Sequence, residues 1–279
     1  MRRLTLNKFP QYSEGITLFQ TKSFEPAQEF YIPKSEQPSY RIQGGTAALI
    51  QALEGTIPKE LIYLNKKVTT INLSAPSQVS AEMSVGSIFS AKRTFICFPP
   101  TIATNIQFTP NLPESLAALL PQVQTWMAGS VKFTVEYDNC FWRKKGMSGM
   151  LYSHAGPITE MYDHCNFAHD KFAFTGFLNS GVQNFTPKVR EKLVLNQLVP
   201  LLGSEAARPL HYRDKIWNED TVFSGQGFFP SPHFNNGHPA LSLGYFDNRL
   251  FFAGSETSTD HPGYMEGAIS AVFRAAEHL

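Results

Sequence analysis

The spacing of apolar residues changes along the chain, and each pattern predicts its own kind of element. In QGGTAALIQALEG, alanines and leucines recur at helical spacing, which predicts a helix opened by Gly44 and Gly45 and ended by Gly55. Between residues 62 and 98, apolar and polar residues alternate, which predicts three or four antiparallel strands. Further patterns predict strands at 130–137, 149–153, 172–178 and 249–253, and helices at 112–120, 187–203 and 263–279.

The first forty residues carry no sustained period. They predict an extended lead-in with one strand near Gly15–Thr21. Beyond them, strands and helices are mixed without the regular βαβ rhythm of a doubly wound sheet, so we expect a mixed α/β (α+β) fold. A length of 279 residues corresponds to about two domains.

Charge and composition narrow the range of partners. The chain has 24 Lys+Arg against 23 Asp+Glu, so its net charge of +1 gives no basic excess for nucleic-acid or anionic-membrane binding. Charged residues make up 17% of the chain, against about 25% in a typical soluble domain, while phenylalanine occurs 23 times. No apolar run approaches the ~18 residues that a membrane-spanning helix needs. We therefore expect a surface that is short of charge.

Three cysteines, Cys97, Cys140 and Cys165, form neither an even set nor a CxxC pair. This pattern favours a reduced, cytoplasmic setting over a disulfide scaffold. Cys165 follows His164 in a stretch with two more histidines, and this spacing imitates a metal site. Because no second matched pair accompanies it, we expect loop or strand residues there and no metal. The nearby segment FWRKKG carries three successive cations and predicts a solvated turn.

The segment RLFFAGSETSTDHPGYMEGAIS carries the sharpest chemical signal. An apolar strand ends at Gly254, and a polar turn leads through Pro262 and Gly263 into a helix. Such a strand end and helix start expose backbone N–H groups, and the helix adds a positive dipole. The arrangement is typical of a site for an anion or a carbonyl oxygen, although the spacing alone also fits an ordinary strand–loop–helix connection.

The words AGSET and PGYMEGAISA closely resemble the C-terminal flavin-binding signature of the flavin monoamine oxidase family, which includes polyamine oxidases and L-amino acid oxidases. The resemblance implies FAD as cofactor, with part of the segment beside its pyrophosphate and part along its isoalloxazine ring. The residues it implies are Ser255 and Glu256 for the pyrophosphate, and Gly263, Tyr264, Met265 and Ala268 for the ring. Glycine at Gly263 suits this role, because a side chain there would collide with a flat ring laid on the helix start.

Other segments resemble the same family, in the family's order. QGGTAALIQAL resembles its Gly-Gly segment, which implies that Gly44 and Gly45 let the backbone approach the cofactor. KKVTTI resembles the strand whose valine backbone contacts adenine, here Val68. FICFPPT resembles the strand end beneath the flavin, which implies a cofactor contact at Pro99.

Two further segments carry the implied catalytic residues. GSVKFTVEYDNCFWRKK resembles the stretch whose lysine reaches the reactive flavin nitrogen through a water, here Lys132, although strand alternation alone also fits a solvent-facing lysine. WNEDTVFSGQGFF resembles the stretch that places Trp217 near the flavin and Phe228 opposite Tyr264, so that two rings guide the amine. Gly227 stands where mitochondrial members carry the cysteine that bonds FAD covalently, so a non-covalent flavin is expected.

The N-terminal half of that family contains a βαβ unit with a GxGxxG turn after its first strand, and no such motif occurs in this sequence. We therefore expect a partial flavin amine oxidase fold, in which a mixed-sheet substrate domain is interleaved with the remaining parts of an FAD-binding domain. The expected bounds are 1–40 for the lead-in, 41–105 with 245–279 for the incomplete FAD-binding domain, and 106–244 for the substrate-binding domain.

The resemblance implies hydride transfer from the carbon of a neutral amine to FAD, hydrolysis of the imine, and reoxidation by oxygen to hydrogen peroxide. Three interpretations stay open: an amine oxidase whose N-terminal half comes from a separate chain or a misplaced gene start, a non-catalytic remnant or interaction module, and a desaturase-like or porphyrinogen oxidase-like flavoprotein. Lys132 with Phe228 and Tyr264 favours an amine over the third.

The partners expected are an amine, oxygen, and an N-terminal-half polypeptide or a second copy of the chain. The low charge then marks surface that a missing half would cover.

Overall fold

The computed structural model describes residues 4–217 and 233–278. Its helices, in chain order, are α1 (Gly45–Glu54), α2 (Pro100–Ala103), α3 (Glu114–Leu119), α4 (Phe141–Lys144), α5 (Pro187–Leu202) and α6 (Met265–Ala276). Its strands are β1 (Lys8–Pro10), β2 (Gly15–Gln20), β3 (Gln28–Ile32), β4 (Tyr40–Ile42), β5 (Val68–Asn72), β6 (Val79–Met83), β7 (Ile88–Ala91), β8 (Thr94–Ile96), β9 (Gln107–Thr109), β10 (Val131–Tyr137), β11 (Met147–Ser153), β12 (Ile158–Asp163), β13 (Phe172–Leu178), β14 (His211–Ile216), β15 (Gly244–Tyr245) and β16 (Leu250–Phe252).

The chain divides into two compact units, each built from two separate segments. Within the described residues, the first unit contains 4–62 and 130–217, and the second contains 63–129 and 233–278. These units divide the chain at other positions than the expected domain bounds, because α1 packs with the first unit and residues 106–129 pack with the second. The assignment of cofactor and substrate binding to particular segments stays a prediction.

The first unit is organised by a seven-stranded mixed sheet, with the strand order β14-β10-β13-β12-β11-β2-β3. Its pairings are antiparallel except for β2 with β11, which run in parallel. Alternation along β10 sends Val131, Phe133 and Val135 into a core that α5 shares through Val194 and Leu198. The opposite face of β10 carries Lys132, Thr134 and Glu136, so α5 covers one face of the sheet and leaves the polar face of β10 outside this core.

The position of α5 on this sheet is fixed by polar contacts within the apolar core. The helix begins after Thr186, whose hydroxyl accepts the N–H of Val189, and it ends at Gly203, whose φ is 101°. In its middle the buried Gln197 donates to Gln20 Oε1 at 3.0 Å and to Ser153 Oγ at 3.1 Å. Its own Oε1 accepts the N–H of Ile158 at 2.8 Å. Because the buried amide of Gln197 both donates and accepts hydrogen bonds, it fixes the position of α5 along the sheet.

The second unit contains a four-stranded sheet, ordered β7-β6-β5-β9, and a three-stranded sheet, ordered β15-β16-β8. Both contribute to one core, with Ile71 and Phe108 from the larger sheet and Phe252 from the smaller. Helix α6 turns its small residues Gly267, Ala271 and Ala275 inward. Its large apolar residues face outward at helical spacing, with exposures of 57% for Met265, 50% for Ile269, 49% for Val272 and 71% for Phe273.

The sequence pattern predicted most long elements. The expected strand near residue 15 is β2, the Gly-Gly helix is α1, and the periodic segments at 187–203 and 263–279 contain α5 and α6. Helices and strands mix without a regular βαβ order, as expected. Among the described residues, no helix has the length and apolar character needed to cross a membrane.

Three predictions were wrong. The lead-in carries three strands and the first residue of a fourth rather than one strand, and β2 and β3 complete the seven-stranded sheet. Strand β8 leaves the predicted antiparallel series and pairs in parallel with β16, a partner too distant in sequence for alternation to reveal. The segment FWRKKG is not a solvated turn: α4 buries Phe141 and Trp142, because aromatic burial outweighs the three cations that follow.

Arg190 and Asp214 form a buried ion pair that ties α5 to the edge strand β14, with nitrogen–oxygen distances of 2.6 and 2.8 Å. Arg190→Met should lower the free energy of unfolding by about 3–5 kcal/mol, because the Asp214 carboxylate would stay buried without its partner. Urea denaturation of the chain measures this change. Lys22→Met, which removes the exposed Lys22–Glu25 pair, is the control and should leave the midpoint unchanged. Equal effects of the two substitutions would contradict the structural role of the buried pair.

Candidate active site

The ends of two parallel strands bring together segments that lie far apart in sequence. Strands β8 and β16 run side by side, and the N–H of Ala253 continues their ladder by donating to Ile96 O at 2.8 Å. Beyond this point the backbones stay close, since a Cβ added at Gly254 would lie 3.1 Å from Phe98 O. The expected cofactor residues Pro99 and Ser255 therefore follow the same sheet edge, where open α/β sheets bind their ligands.

The turn after β16 is held from beneath by the helix that follows it. Glu256 is 3% exposed and accepts a hydrogen bond from Ser255 Oγ at 3.1 Å. Arg274 of α6 donates to Phe252 O and to Thr257 O, at 2.9 Å each. The guanidinium thus satisfies carbonyls of both the strand and the turn, so the last turn of α6 is tied to the strand end.

Within the part of the chain that the structure describes, helix α6 begins without a side-chain cap for its first N–H groups. Tyr264 is its N-cap residue and makes no side-chain capping bond, whereas α5 is capped by Thr186. Met265 and Ala268 lie in the first turn, and the N–H of Ala268 is the one that returns to Tyr264 O, at 3.1 Å. Gly263 precedes the helix with φ at 79°. An uncapped helix start of this kind fits the carbonyl edge of a flavin, which needs N–H donors.

The expected Gly-Gly site lies in the first unit, at the start of α1. Gly44 and Gly45 have φ values of 82° and 76°, and Gly44 provides no side-chain cap. A Cβ added at Gly45 would meet nothing within 4 Å, so the backbone here is open to a ligand. Val68, the expected adenine contact, is the first residue of β5 in the second unit and pairs with Met83.

Lys132 occupies the polar face of the seven-stranded sheet, in a cross-strand row. In register it lies between Lys215 of β14 and Phe177 of β13, and Glu160 of β12 follows Phe177. The side chain is exposed, and its Nζ lies 5.4 Å from the Phe177 ring centroid. Alternation left the facing direction of Lys132 open, and the structure shows that it lies on the face opposite the core shared with α5.

Trp217 follows β14 on the same end of this sheet. The backbone N–H of Trp217 donates to Ser130 O at 3.2 Å, and Ser130 directly precedes the strand that carries Lys132. Lys215 Nζ lies 5.8 Å from the Trp217 ring centroid. The structure therefore places Lys132 and Trp217, the two implied catalytic residues of the first unit, at the same end of the sheet.

Cations surround the polar face near His164, directly after β12. Arg41 Nη2 lies 3.3 Å from His164 Nε2 and Arg41 Nη1 donates to Cys165 O at 2.6 Å. Burial and, after it, the nearby cations Arg41 and Lys132 lower the pKa of His164 to about 4, while Asp163 opposes the shift. The carboxylate of Asp163 is engaged elsewhere, since it accepts two hydrogen bonds of 2.8 Å from Arg143. The imidazole of His164 is therefore neutral near pH 7 and lies beside the Arg41 guanidinium.

Sequence reasoning missed an aromatic cluster around Tyr264. Trp126 lies 4.5 Å from the Tyr264 ring between centroids, and His233 lies 6.3 Å from it with the two rings 16° from parallel. Trp126 sits in QTWMAG, which has no period or motif, so no pattern distinguished it from a core residue. The expected opposite ring, Phe228, and Gly227 lie outside the described residues.

The histidines and cysteine of the stretch 154–169 do not form a metal site. Across residues 4–217 and 233–278, no group of three or more metal-ligating side chains occurs. Cys165 is buried against Asp163 instead, and burial raises the pKa of its thiol to about 12.

Gly263 meets two constraints, which can be separated. Its φ of 79° excludes most side chains, and an added Cβ would lie 3.0 Å from the Cβ of Trp126. Gly86 has a similar φ of 82° with nothing within 4 Å of an added Cβ. We expect Gly86→Ala to cost about 1 kcal/mol in unfolding free energy, and Gly263→Ala to cost at least about 1 kcal/mol more. Urea denaturation decides between them, and equal costs would contradict the close approach of Trp126.

His164 should make folding sensitive to acid. Its native pKa of about 4 lies below the ordinary value of about 6.5, so between these values the unfolded chain binds a proton that the native chain does not. Stability should therefore fall as the pH drops through this window, by about 1–3 kcal/mol. His164→Gln should remove that part of the decline, as measured by urea denaturation at pH 4 to 7. Superimposable profiles of the two chains would refute this assignment.

Curated proteins of similar sequence carry related names. A probable flavin-containing monoamine oxidase A of Dictyostelium discoideum is 29% identical over 247 residues, which are 86% of this chain and 53% of that protein. A flavin-containing amine oxidase B of Canis lupus familiaris is 30% identical over 233 residues, which are 78% of this chain and 43% of that protein. The chain thus spans about half the length of these relatives.

Solved structures show the same architecture. Putrescine oxidase, solved with putrescine bound, overlays with a TM-score of 0.83 over 99% of this chain and 83% of its own, at 16% identity, which supports a shared fold. Cyclohexylamine oxidase from Brevibacterium oxydans overlays with a TM-score of 0.71 over 84% of this chain and 53% of its own, at 25% identity. The family profile described as flavin containing amine oxidoreductase matches residues 3–279. The chain therefore belongs to the flavin-containing amine oxidoreductase family, whose cofactor is a flavin.

Proposed function

We propose that this chain supplies the flavin-facing and amine-facing parts of an FAD-dependent amine oxidase. One observation carries the proposal: the uncapped start of α6 lies at the joined ends of β8 and β16, beside the half-exposed ring of Tyr264. Free N–H donors and an aromatic surface in one place suit a flavin edge and an amine together.

The residues present fit a flavin held without a covalent bond. The first-turn amides of α6 would donate to its carbonyl edge, and Ser255 with Glu256 would lie at the pyrophosphate. Gly44 and Gly45 would admit the cofactor to open backbone at α1, with Val68 at the adenine and Pro99 beneath the ring. When bound, the flavin supplies the hydride acceptor, and the protein contributes binding, orientation and electrostatics.

Residues of this chain would then orient the amine and a water. Tyr264 presents a ring that is 49% exposed, and Phe228 is the proposed partner ring that would align the amine from its other side. Lys132 would hold a water through its exposed ammonium, and Trp217 would pack near the flavin. Orientation of this kind lowers the barrier by fixing the reacting groups before the reaction.

We further propose that activity requires a GxGxxG-bearing segment, supplied as an N-terminal half or as a separate polypeptide. Two apolar surfaces support this. Ile50 and Leu53 of α1 are 60% and 44% exposed, and α6 exposes Phe273 and the residues in line with it. Helix faces of this size and composition are normally covered, and the nucleotide-binding half of the family's fold is the proposed cover.

The test is to express this chain with and without a GxGxxG-bearing βαβ polypeptide from a full-length relative, and to measure flavin absorbance. We expect little flavin in the chain alone and a stable flavin spectrum in the mixture, which amine should bleach without oxygen. A mixture that takes up no FAD would contradict the proposal and favour a non-catalytic module. Flavin uptake without reduction by any amine would favour the wider flavoprotein group.

In the flavin-loaded assembly, Lys132→Met should slow flavin reduction or its reoxidation by about 10²-fold, since the water near the flavin would lose its ammonium partner. Stopped-flow absorbance measures both half-reactions. Lys215→Met, which removes the neighbouring cation in register with Lys132, is the matched control and should keep both rates within about 3-fold. Wild-type rates in Lys132→Met would remove Lys132 from the mechanism.

A further inference from the structure

Three rings from three separate segments of the second unit contact one another at the start of α6. Trp126 lies 4.5 Å from Tyr264 and 5.1 Å from His233 between ring centroids. His233 and Tyr264 lie 6.3 Å apart and nearly parallel. Trp126 therefore contacts both of the other rings and lies at the centre of the group. One face of Tyr264 is engaged in this way, while the residue keeps 49% of its surface exposed.

The backbone before α6 is shaped to admit the tryptophan. Gly263 has no side chain, and an ideal Cβ on it would lie 3.0 Å from Trp126 Cβ, 3.5 Å from Trp126 Cε3 and 3.5 Å from His233 Cε1. The Trp126 side chain thus packs directly on the backbone beside Tyr264. This contact gives Gly263 a role within this chain that does not depend on any ligand.

The segments that carry Trp126 and His233 are joined by hydrogen bonds. The N–H of Gln124 donates to Phe234 O at 2.9 Å, and Asn236 Nδ2 donates to Gln124 O at 2.7 Å. The N–H of Gly237 donates to Glu256 O at 2.8 Å, which connects the same turn to the strand end. These bonds make the two rings part of one framework with the start of α6.

Backbone strain is concentrated in this framework. Met127, His233 and Asn235 have φ values of 65°, 63° and 57°, in a region that non-glycine residues seldom adopt. Each such residue costs free energy, and strain of this kind gathers where a side chain must be held in a particular place. Two of the three residues carry or adjoin the rings that contact Tyr264.

Unsatisfied polar atoms add a second cost at the same place. Among residues 4–217 and 233–278, Thr125 Oγ1, His233 Nδ1, Gln124 Oε1 and Asn236 Oδ1 are buried and have no hydrogen-bond partner. Buried groups of this kind are rare in folded proteins, and each reduces stability. A cluster selected for packing alone would not be expected to combine strained backbone with unpaired polar atoms.

We propose that Trp126 and His233 are positioning residues that set the orientation of the Tyr264 ring, and through it the orientation of the amine. The proposal rests on the proposed function for its second half, since Tyr264 is the amine-facing ring. A tyrosine at a helix start has two free side-chain torsions, and two flanking rings restrict them before a substrate binds. Preorganised geometry of this kind is what an oriented reaction requires.

Ring orientation can be tested in the chain alone. The ten tyrosines are replaced by 3-fluorotyrosine, and Tyr264→Phe identifies the Tyr264 resonance by fluorine NMR. Trp126→Leu and His233→Asn should move this resonance towards that of a solvent-exposed tyrosine, and Trp126→Phe should restore most of its position. Asparagine is chosen at position 233 because it tolerates a positive φ. Phe89→Leu, which removes the ring 4.6 Å from Tyr63, is the matched control and should leave Tyr264 unmoved.

Action through Tyr264 is tested in the flavin-loaded assembly. Trp126→Leu should lower the limiting rate of flavin reduction by about 10-fold to 10²-fold while FAD affinity stays unchanged, and Trp126→Phe should stay within about 3-fold of wild type. In a Tyr264→Ala background, Trp126→Leu should change the rate by less than about 2-fold, because the ring it positions is gone.

The positioning role is overturned if the Tyr264 resonance keeps its wild-type position in both Trp126→Leu and His233→Asn. This holds whatever rate of flavin reduction the assembly shows. A rate loss of the same size in the Tyr264→Ala background also overturns it, since Trp126 would then act by another route. If no assembly oxidises an amine, the proposed function fails while the fluorine experiment still decides whether the rings hold Tyr264.

Discussion

The candidate site depends on one pairing, the parallel alignment of β8 with β16. Neither strand is long, but their common edge places the segment after Ile96 beside the segment after Phe252. Arg274 then ties α6 to that edge through the carbonyls of Phe252 and Thr257. The direction of α6, its uncapped amides and the position of Tyr264 follow from this alignment. A shift of one residue between the two strands would displace all of them together.

How far the sequence predicted this arrangement depends on the range of each interaction. Local signals found α1, α5 and α6, since periodicity and flanking glycines act within one element. Motif resemblance predicted cofactor or substrate roles for Ser255, Gly263 and Tyr264, and these roles stay predictions. Pairings between distant segments, such as β2 with β11, leave no trace in alternation. Trp126 was missed for the same reason, because its importance lies only in what it contacts.

Helix α6 provides part of the surface that is short of charge. Helix α6 packs through Gly267, Ala271 and Ala275 and exposes Met265, Ile269 and Phe273, which inverts the usual order of small and large residues. The small face allows the helix to pack closely on the turn that precedes it, since a Cβ at Gly267 would collide with His261 O. The large face is what a soluble surface normally lacks. Close packing inside and apolar exposure outside are therefore two results of the same residue pattern.

The interleaved path of the chain has a consequence for how it is assembled. Each compact unit is built from two segments that are separated in sequence by a segment of the other unit. Cleaving the chain at one position therefore cannot release a complete unit. The segments 4–62 and 130–217 must meet for the first unit to form, and the entire first segment of the second unit lies between them in sequence. Closing so long a loop is an entropic cost paid early, and contacts this distant slow folding. The first unit cannot be completed during synthesis until the whole first segment of the second unit has been made, so the first unit must fold while half of the second unit is present and still lacks its later segment.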